Sequence, residues 1–208
     1  MNCFDFHHHK KSLPLGIYNM DPSDQIPDSL YSVGIHPKDI QHDKITEQFH
    51  WLKDNITEYC FAIGECGLDS LVPIDQKIQQ DVFLKQIELS NEVKKPLIIH
   101  CVRKFYEVIS FRKKANQAMV IHGFNKKESI AHDLLKNNFY LSFGKAVLYN
   151  LSLQNTLKIT PLNRIFLETD NEDFEIATLY EKVSVIKGIS LEELNEQIVE
   201  NLENIKHG

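Results

Sequence analysis

The feature that most constrains the fold of this 208-residue chain is a repeated alternation of short apolar runs with amphipathic segments. In the later part of the chain, runs such as Pro96–His100 (PLIIH) and Ala118–His122 (AMVIH) alternate with stretches whose apolar residues recur at helical spacing. Strands that alternate with helices predict a parallel sheet. Several runs also end in a histidine or an acidic residue. Polar residues at the carboxyl ends of successive strands are typical of a barrel with its site on that face.

Eight runs have the character of strands, and the spacers between the first three are too short for full crossover helices. The eight are Asn2–His9, Leu13–Asn19, Leu30–His36, Phe61–Gly64, Pro96–His100, Ala118–His122, Phe139–Gly144 and Arg164–Asp170. An open doubly wound sheet is the competing architecture, but it usually carries a glycine-rich nucleotide loop after its first strand, and none is present there. The sequence therefore predicts a distorted TIM (β/α) barrel of parallel strands, with reduced helices near the N-terminus. One domain is expected over residues 1–208.

Helical stripes occupy most of the later spacers and the end of the chain. The stripes run over Ile45–Ile56, Ile78–Ile87, Phe105–Ile109 and Ile130–Leu134. Two helices then close the chain. The first is expected to end at Gly188, and the second to begin at Ser190 with a capping box that includes Glu193.

Glu65 is the most informative acidic residue, because it follows directly on an apolar run. The run Phe61–Ile63 gives way to Gly64 within the stretch AIGECGLD. We expect the strand to end at Gly64, and the glycines on both sides to leave room around the carboxylate. A strand that delivers one glutamate to its carboxyl end suits a metal site better than a packed core.

Histidines and carboxylates occupy the same topological position on five predicted strands. The set is His7, His9, Glu65, His100, His122 and Asp170. Taken singly, each has an ordinary explanation: three adjacent histidines resemble an expression tag, and a lone histidine after an apolar run is more often structural. Their coincidence favours ligation, since imidazole and carboxylate suit zinc, manganese, iron or cobalt. Six ligands suggest two ions that share one carboxylate, with His36 of GIHP as an outer-shell candidate.

This ligand set predicts metal-assisted hydrolysis. Two divalent ions would activate a water and polarise the bond to be cleaved. Asp170 could also accept the proton of the water, so Glu65 and Asp170 are the predicted catalytic residues. Cys66 and Cys101 are offset from the strand-end positions, and we expect both to be packing residues rather than nucleophiles.

The net charge of −6 argues against broad binding to long nucleic acid, but bound divalent ions would supply local positive charge. Three basic residues lie just past predicted strand ends and are candidates for holding phosphates: Arg103, Lys104 and Lys126. Loops carry lysines for solubility as well, so this assignment stays open.

The sequence also bears on location. No run approaches the roughly 20 apolar residues needed to span a membrane. The start MNCFDFHHHK has neither the basic nor the apolar region of a signal peptide. We therefore expect a cytoplasmic protein with free cysteines, without a membrane association and without an evident obligate protein partner.

The motifs FDFHHH, SVGIHP, AIGECGLD, PLIIHCVR, MVIHGF and IFLETD resemble, in order, those of the TatD-like metal-dependent deoxyribonucleases of the amidohydrolase superfamily. The resemblance implies a distorted TIM barrel with two bound ions (Zn, Mn or Mg). One ion would be held by His7, His9, Glu65 and Asp170, and the other by Glu65, His100 and His122. The implied activity is phosphodiester hydrolysis on DNA, often exonucleolytic, with 3′–5′ polarity as one expectation. The short segment between HxH and GIHP, and the sequence ETDNEDF without the usual proline, depart from the family pattern in loops that shape the substrate groove.

Three hypotheses follow. The first is a two-metal phosphodiesterase or deoxyribonuclease acting on DNA or a short phosphodiester. The second is an amidohydrolase-type enzyme that cleaves a C–N or C–O bond in a small molecule at the same site. The third is a metal-binding barrel without catalysis. The family resemblance and the basic residues favour the first, whereas the acidic net charge and the short loops keep the second open.

Overall fold

The computed structural model describes residues 3–11, 13 and 15–206 of the chain. Eight strands form one sheet, and each strand pairs in parallel with the next one along the chain. The strands are β1 (Asp5–His8), β2 (Gly16–Asn19), β3 (Tyr31–Val33), β4 (Cys60–Asp69), β5 (Leu97–Val102), β6 (Met119–Ile121), β7 (Phe139–Phe143) and β8 (Ile165–Leu167). Asn2 and Pro14, which belong to the first two predicted strands, lie outside the described residues.

The sheet closes where its first and last strands meet. His8 and Asp170 form an isolated parallel bridge. The His9 amide donates to the Asp170 carbonyl at 3.2 Å, and the Asp170 amide donates to the His7 carbonyl at 2.9 Å. We call this contact between β1 and the segment after β8 the seam. It nearly closes the barrel, and the predicted distorted TIM barrel is confirmed.

The described residues form seven α-helices, and all of them come after β3. They are α1 (Ile45–Asp54), α2 (Gln76–Val93), α3 (Phe105–Phe111), α4 (Glu128–Lys136), α5 (Leu151–Ile159), α6 (Ile176–Lys187) and α7 (Leu191–Lys206). Within the described part of the chain, no α-helix lies between β1 and β3, in agreement with the short spacers. None of the helices in the described residues combines the length and the apolar character that a membrane crossing requires.

Two predicted helix boundaries agree with the structure, one predicted helix is too long, and one helix was not predicted. Gly188 adopts a left-handed conformation at the end of α6. The Glu193 amide donates to Ser190 Oγ at 3.1 Å, as the capping box requires. The predicted stripe that reached Ile56 is too long, because α1 ends at Asp54. Helix α5 was not predicted; it has few buried side chains, and its N-cap is an asparagine.

Aromatic and aliphatic side chains fill the space around the strands. Phe6 of β1 and Phe166 of β8 are both fully buried and stack with ring centroids 4.1 Å apart. This stack supports the seam from the core, because paired aromatic rings contribute about 0.5–1.5 kcal/mol beyond the area that they bury. The short β8 is thereby held against β1.

Candidate metal centre

Glu65 lies in the middle of β4, not at its end. The strand runs on to Asp69, and its pairing with β5 shifts register between Ile63 and Cys66. The expectation that the strand ends at Gly64 is therefore wrong. A register shift of this kind bends the strand and re-aims a side chain, and Glu65 is the side chain within it.

The flanking glycines serve the packing of the strands rather than the carboxylate. A Cβ atom on Gly64 would lie 2.6 Å from the Ile98 carbonyl oxygen, and one on Gly67 would overlap the carbonyl oxygen of His100. Both glycines therefore let β5 approach the irregular part of β4. Our expectation that they leave room around Glu65 is corrected accordingly.

One oxygen of the carboxylate, Glu65 Oε1, faces residues at the first and last strands of the sheet. His7 Nε2 lies 3.0 Å from it and His9 Nε2 lies 3.1 Å from it. Asp170 Oδ1 lies 3.8 Å from His7 Nε2 and 3.3 Å from His9 Nε2. We call His7, His9 and Asp170, together with Oε1, the Oε1 half of the centre.

The other oxygen, Glu65 Oε2, faces imidazoles from the middle of the sheet. His122 Nε2 lies 3.2 Å from Oε2, and His100 Nδ1 lies 3.8 Å from it. These two ring nitrogens are 3.4 Å apart. His36 Nε2 also approaches, at 3.6 Å. We call His100 and His122, together with Oε2, the Oε2 half.

Both halves have the donor atoms and the spacing that a divalent ion requires. Ligands about 2.1 Å from a tetrahedral ion lie about 3.4 Å from one another. The donor atoms of the Oε1 half all lie within 4.8 Å of one another, and most are 3.0–3.8 Å apart. Those of the Oε2 half are 3.2–3.8 Å apart. The six residues predicted from the sequence are thus brought together around Glu65, and each half has donor atoms that could hold a metal ion.

Three polar residues that the sequence analysis did not assign support the predicted ligands. His100 Nε2 lies 3.0 Å from Asp69 Oδ2, and His122 Nδ1 lies 3.5 Å from Glu168 Oε1. Asn19 contacts Glu65 twice: its Nδ2 donates to Oε1 at 3.2 Å, and its Oδ1 accepts from the Glu65 amide at 3.1 Å. Outer partners of this type orient metal ligands. Two of them stand inside quoted motifs, Asp69 in AIGECGLD and Glu168 in IFLETD, so a signal was available.

The electrostatics of the cluster keep the carboxylates ionised. Burial opposes ionisation of Glu65, yet the adjacent His122 and His7 hold its pKa well below the usual range. Hydrogen bonds that the His9 ring donates to the Asp170 carboxylate, and then to the Glu65 carboxylate, raise the pKa of His9 to about 9. Burial opposes protonation of His122, but Glu65 and Glu168 raise its pKa well above the ordinary value. Protons on these imidazoles would have to leave when a cation binds, because only the neutral ring is a ligand.

The cysteines of the two central motifs are structural in this setting. Cys66 and Cys101 are free thiols. Burial raises the pKa of both, that of Cys101 to about 12. A thiol that stays protonated is a poor nucleophile, so the geometry favours metal-assisted chemistry over a cysteine mechanism.

The three predicted phosphate-binding residues lie in the turns after β5 and β6. Arg103 is exposed and has a left-handed backbone with φ of 59°. Lys104 Nζ donates to Glu107 Oε1 at 2.9 Å, and Lys126 is exposed. Among the described residues, none of the three contacts the six predicted ligands, so their role stays a prediction.

A cavity of about 1000 Å³ opens beside the centre, between the segments that follow β2 and β3 and the helix α1. His9, His36 and Glu65 line it, and Tyr18 and Trp51 add aromatic surface. A cavity of this size is typical of a small-molecule or nucleotide site.

Comparison with known proteins identifies related chains. The sequence profile described as "TatD related DNase" matches residues 19–207. An uncharacterized metal-dependent hydrolase of Buchnera aphidicola subsp. Baizongia pistaciae is 36% identical over 148 residues, which are 68% of this chain and 56% of that protein. The chain thus spans little more than half the length of that relative. The uncharacterized metal-dependent hydrolase YabD of Bacillus subtilis is 31% identical over 86% of this chain and 78% of its own length.

Solved structures agree on the fold. The crystal structure of YJJV, a TatD homologue from Escherichia coli K12, superposes with a TM-score of 0.81 at 16% sequence identity. The superposition covers 99% of this chain and 97% of that one. At this identity the likeness concerns the barrel alone.

Proposed function

Since this chain belongs to the family of TatD-related DNases, we propose that it is a two-metal phosphodiesterase that hydrolyses DNA or a short phosphodiester. The observation that carries the proposal is the position of Glu65. Its Oε1 contacts His7 and His9 at 3.0 and 3.1 Å, while its Oε2 contacts His122 at 3.2 Å. A single carboxylate with imidazoles on both oxygens is suited to bridge two cations.

The residues of the centre have distinct roles in this proposal. His7, His9, Glu65 and Asp170 would hold one ion, and Glu65, His100 and His122 would hold the other. When bound, the ions polarise the phosphate and lower the pKa of the attacking water. The Asp170 side chain is 33% exposed. Its carboxylate can therefore accept the proton that the water releases.

The basic residues in the turns after β5 and β6 are the candidates for binding the remaining phosphates of the substrate. We propose that Arg103, Lys104 and Lys126 hold phosphates next to the one that is cleaved, since arginine and lysine are the usual phosphate partners. Exonucleolytic action in the 3′–5′ direction belongs to the same proposal. It is measured by the order in which nucleotides are released from an end-labelled strand.

A reloading assay tests the proposal. The protein is stripped with chelator, reloaded with Mg, Mn or Zn, and offered bis(p-nitrophenyl) phosphate and a short single-stranded oligonucleotide. We expect hydrolysis only in the reloaded protein. Glu65→Gln should lose at least about 1000-fold in kcat, because both ions lose a shared charged ligand. Glu92→Gln, an identical change at a surface residue paired with Lys53, should leave the rate unchanged.

The cavity supports a second candidate, an amidohydrolase-type enzyme that cleaves a C–N or C–O bond. Its wall includes Asp21, Asp39 and Glu47 against Lys38 and Lys44, and this excess of acidic groups disfavours an anionic phosphodiester relative to a small uncharged substrate. Amide and carboxyl-ester substrates in the same assay separate the two. If a reloaded protein cleaves these and neither phosphodiester, the phosphodiesterase proposal is wrong. Two bound ions without any turnover would indicate a binding barrel.

A further inference from the structure

His36 carries its proton on the nitrogen that faces the metal centre. Its side chain caps the 3₁₀ turn Pro37–Asp39, where Nδ1 accepts a hydrogen bond from the Lys38 amide at 3.0 Å. A backbone N–H can only donate, so Nδ1 must present a lone pair. A ring with an unprotonated Nδ1 is neutral and has its hydrogen on Nε2.

The two imidazoles of the Oε2 half have the opposite arrangement. His100 Nε2 lies 3.0 Å from Asp69 Oδ2, and His122 Nδ1 lies 3.5 Å from Glu168 Oε1. A carboxylate can only accept, so the outward Nε2 of His100 carries the hydrogen, and its inward Nδ1 presents a lone pair once the ring is neutral, as a metal ligand must be. Carboxylates behind the ring are what metal-ligating histidines usually have. His36 has an amide donor there instead.

The Nε2–H group of His36 is open to a ligand. It lies 3.6 Å from Glu65 Oε2, which is longer than a hydrogen bond. No described residue accepts a hydrogen bond from it. The ring packs 4.3 Å from the His100 ring, and the side chain lines the cavity. A donor without an acceptor is thus aimed at the space where a substrate would meet the centre.

We propose that His36 donates a hydrogen bond from Nε2 to an oxygen of the substrate phosphate and does not ligate a metal ion. His36, Glu65 and His100 have donor atoms within 4.8 Å of one another, so spacing alone also permits ligation. The tautomer decides between the two roles, because a protonated Nε2 has no lone pair for a cation. A preorganised donor beside the phosphate would stabilise the charge that develops there. This assignment rests on the proposed phosphodiesterase function.

The tautomer and the metal content are tested first. Two-bond ¹H–¹⁵N spectra of the labelled protein, stripped and then loaded with zinc alone, report which ring nitrogens carry hydrogen or metal. We expect His36 Nε2 to stay protonated in both states and the lone pair of His100 to bind zinc. His36→Ala should retain both ions, whereas His122→Ala should lose one. A zinc-bound His36 Nε2, or loss of an ion from His36→Ala, would overturn the proposal.

Phosphate binding and turnover are tested next. We expect His36→Ala to weaken the affinity of the zinc-loaded protein for inorganic phosphate about 10- to 100-fold and to lower kcat about 100-fold. His36→Gln, which keeps an N–H donor, should recover part of both. His42→Ala, at an exposed histidine paired with Asp43, should change neither.

An unchanged phosphate affinity in His36→Ala would overturn the proposal. So would a zinc-loaded wild type that binds no phosphate. A wild type that binds phosphate through His36 but cleaves no phosphodiester would instead disprove the proposed function and leave the donor role standing.

Discussion

The two halves of the metal centre are built from different parts of the chain. The Oε1 half joins His7 of β1 and His9 just after it to Asp170, which follows β8, and so spans the seam. The Oε2 half takes His100 from β5 and His122 from the end of β6, neighbouring strands in the middle of the sheet. The first half therefore depends on barrel closure, whereas the second is formed by a continuous part of the sheet.

The halves also differ in how their imidazoles are held. In the Oε1 half, His9 contacts two carboxylates directly, and His7 Nδ1 is buried without a hydrogen-bond partner among the described residues. In the Oε2 half, the outer carboxylate of Asp69 lies 3.0 Å from His100 Nε2, and that of Glu168 lies 3.5 Å from His122 Nδ1, which also has no hydrogen-bond partner among the described residues. The Oε1 half thus relies mainly on carboxylates that contact its imidazoles directly. The Oε2 half relies more on carboxylates that orient its rings. We expect the Oε1 half to bind its ion more tightly.

Removing one ligand from each half should have the largest effect. Asp170→Asn should weaken the affinity for the ion of the Oε1 half. The loss should exceed the roughly 10- to 100-fold that follows from removing an outer partner. His122→Ala should do the same to the Oε2 ion. Each variant should retain about one ion per chain, measured by mass spectrometry of the metal after gel filtration. If either variant loses both ions, the halves form one cooperative site and the comparison fails.

Metal binding should tighten the seam more than the middle of the sheet. The seam has only a few backbone hydrogen bonds, including the Asp170 amide to the His7 carbonyl at 2.9 Å. An ion at 100 times its Kd stabilises the state that binds it by about 2.7 kcal/mol, a protection factor of up to about 100-fold. Hydrogen exchange should show this gain at the Asp170 and His9 amides. The His122 amide, which donates to the Ile99 carbonyl within continuous pairing, should gain less.

Asp170→Asn is the control for the seam. The backbone amide and carbonyl at this position are unchanged, so the hydrogen bonds of the seam can still form. The amide hydrogens of the metal-free variant should therefore exchange much as those of the wild type do. The gain on adding metal should disappear at the seam and persist near His122. Equal gains in both regions of the wild type would show that closure and metal binding are not linked.

The sequence predicted which residues meet around Glu65 better than it predicted the residues that hold them in place. His100, His122 and Asp170 follow apolar runs, and the barrel topology places such positions on one face. Asp69 could not be assigned in the same way, because the strand was expected to stop at Gly64. Its contact with His100 depends on a register shift between Ile63 and Cys66, and no local pattern specifies that shift. Asn19 supports Glu65 from another strand, a contact between residues far apart in sequence.

Replacing the outer carboxylate of Asp69 should have the smallest effect of these changes, and it should affect only the Oε2 half. In the wild type the Leu71 amide donates to Asp69 Oδ1 at 2.7 Å. Asp69→Asn keeps an oxygen that can accept this hydrogen bond. The new amide N–H₂ would face the N–H of His100, and two donors repel. His100 would then favour the other tautomer and lose the lone pair on Nδ1. We expect about a 10-fold loss in affinity at the Oε2 half, with the Oε1 half unchanged, in a competitive titration against a chelator.

Asp43→Asn, an exposed change beside His42, is the matched control for this titration and should leave both affinities unchanged. The orientation of His100 would be independent of Asp69 if Asp69→Asn bound both ions as the wild type does. The difference between the halves would then rest on charge alone. A loss at the Oε1 half would instead mean that Glu65 transmits the change from one oxygen to the other. That outcome would make the bridging carboxylate, and not the ligands on either side, the element that sets both affinities.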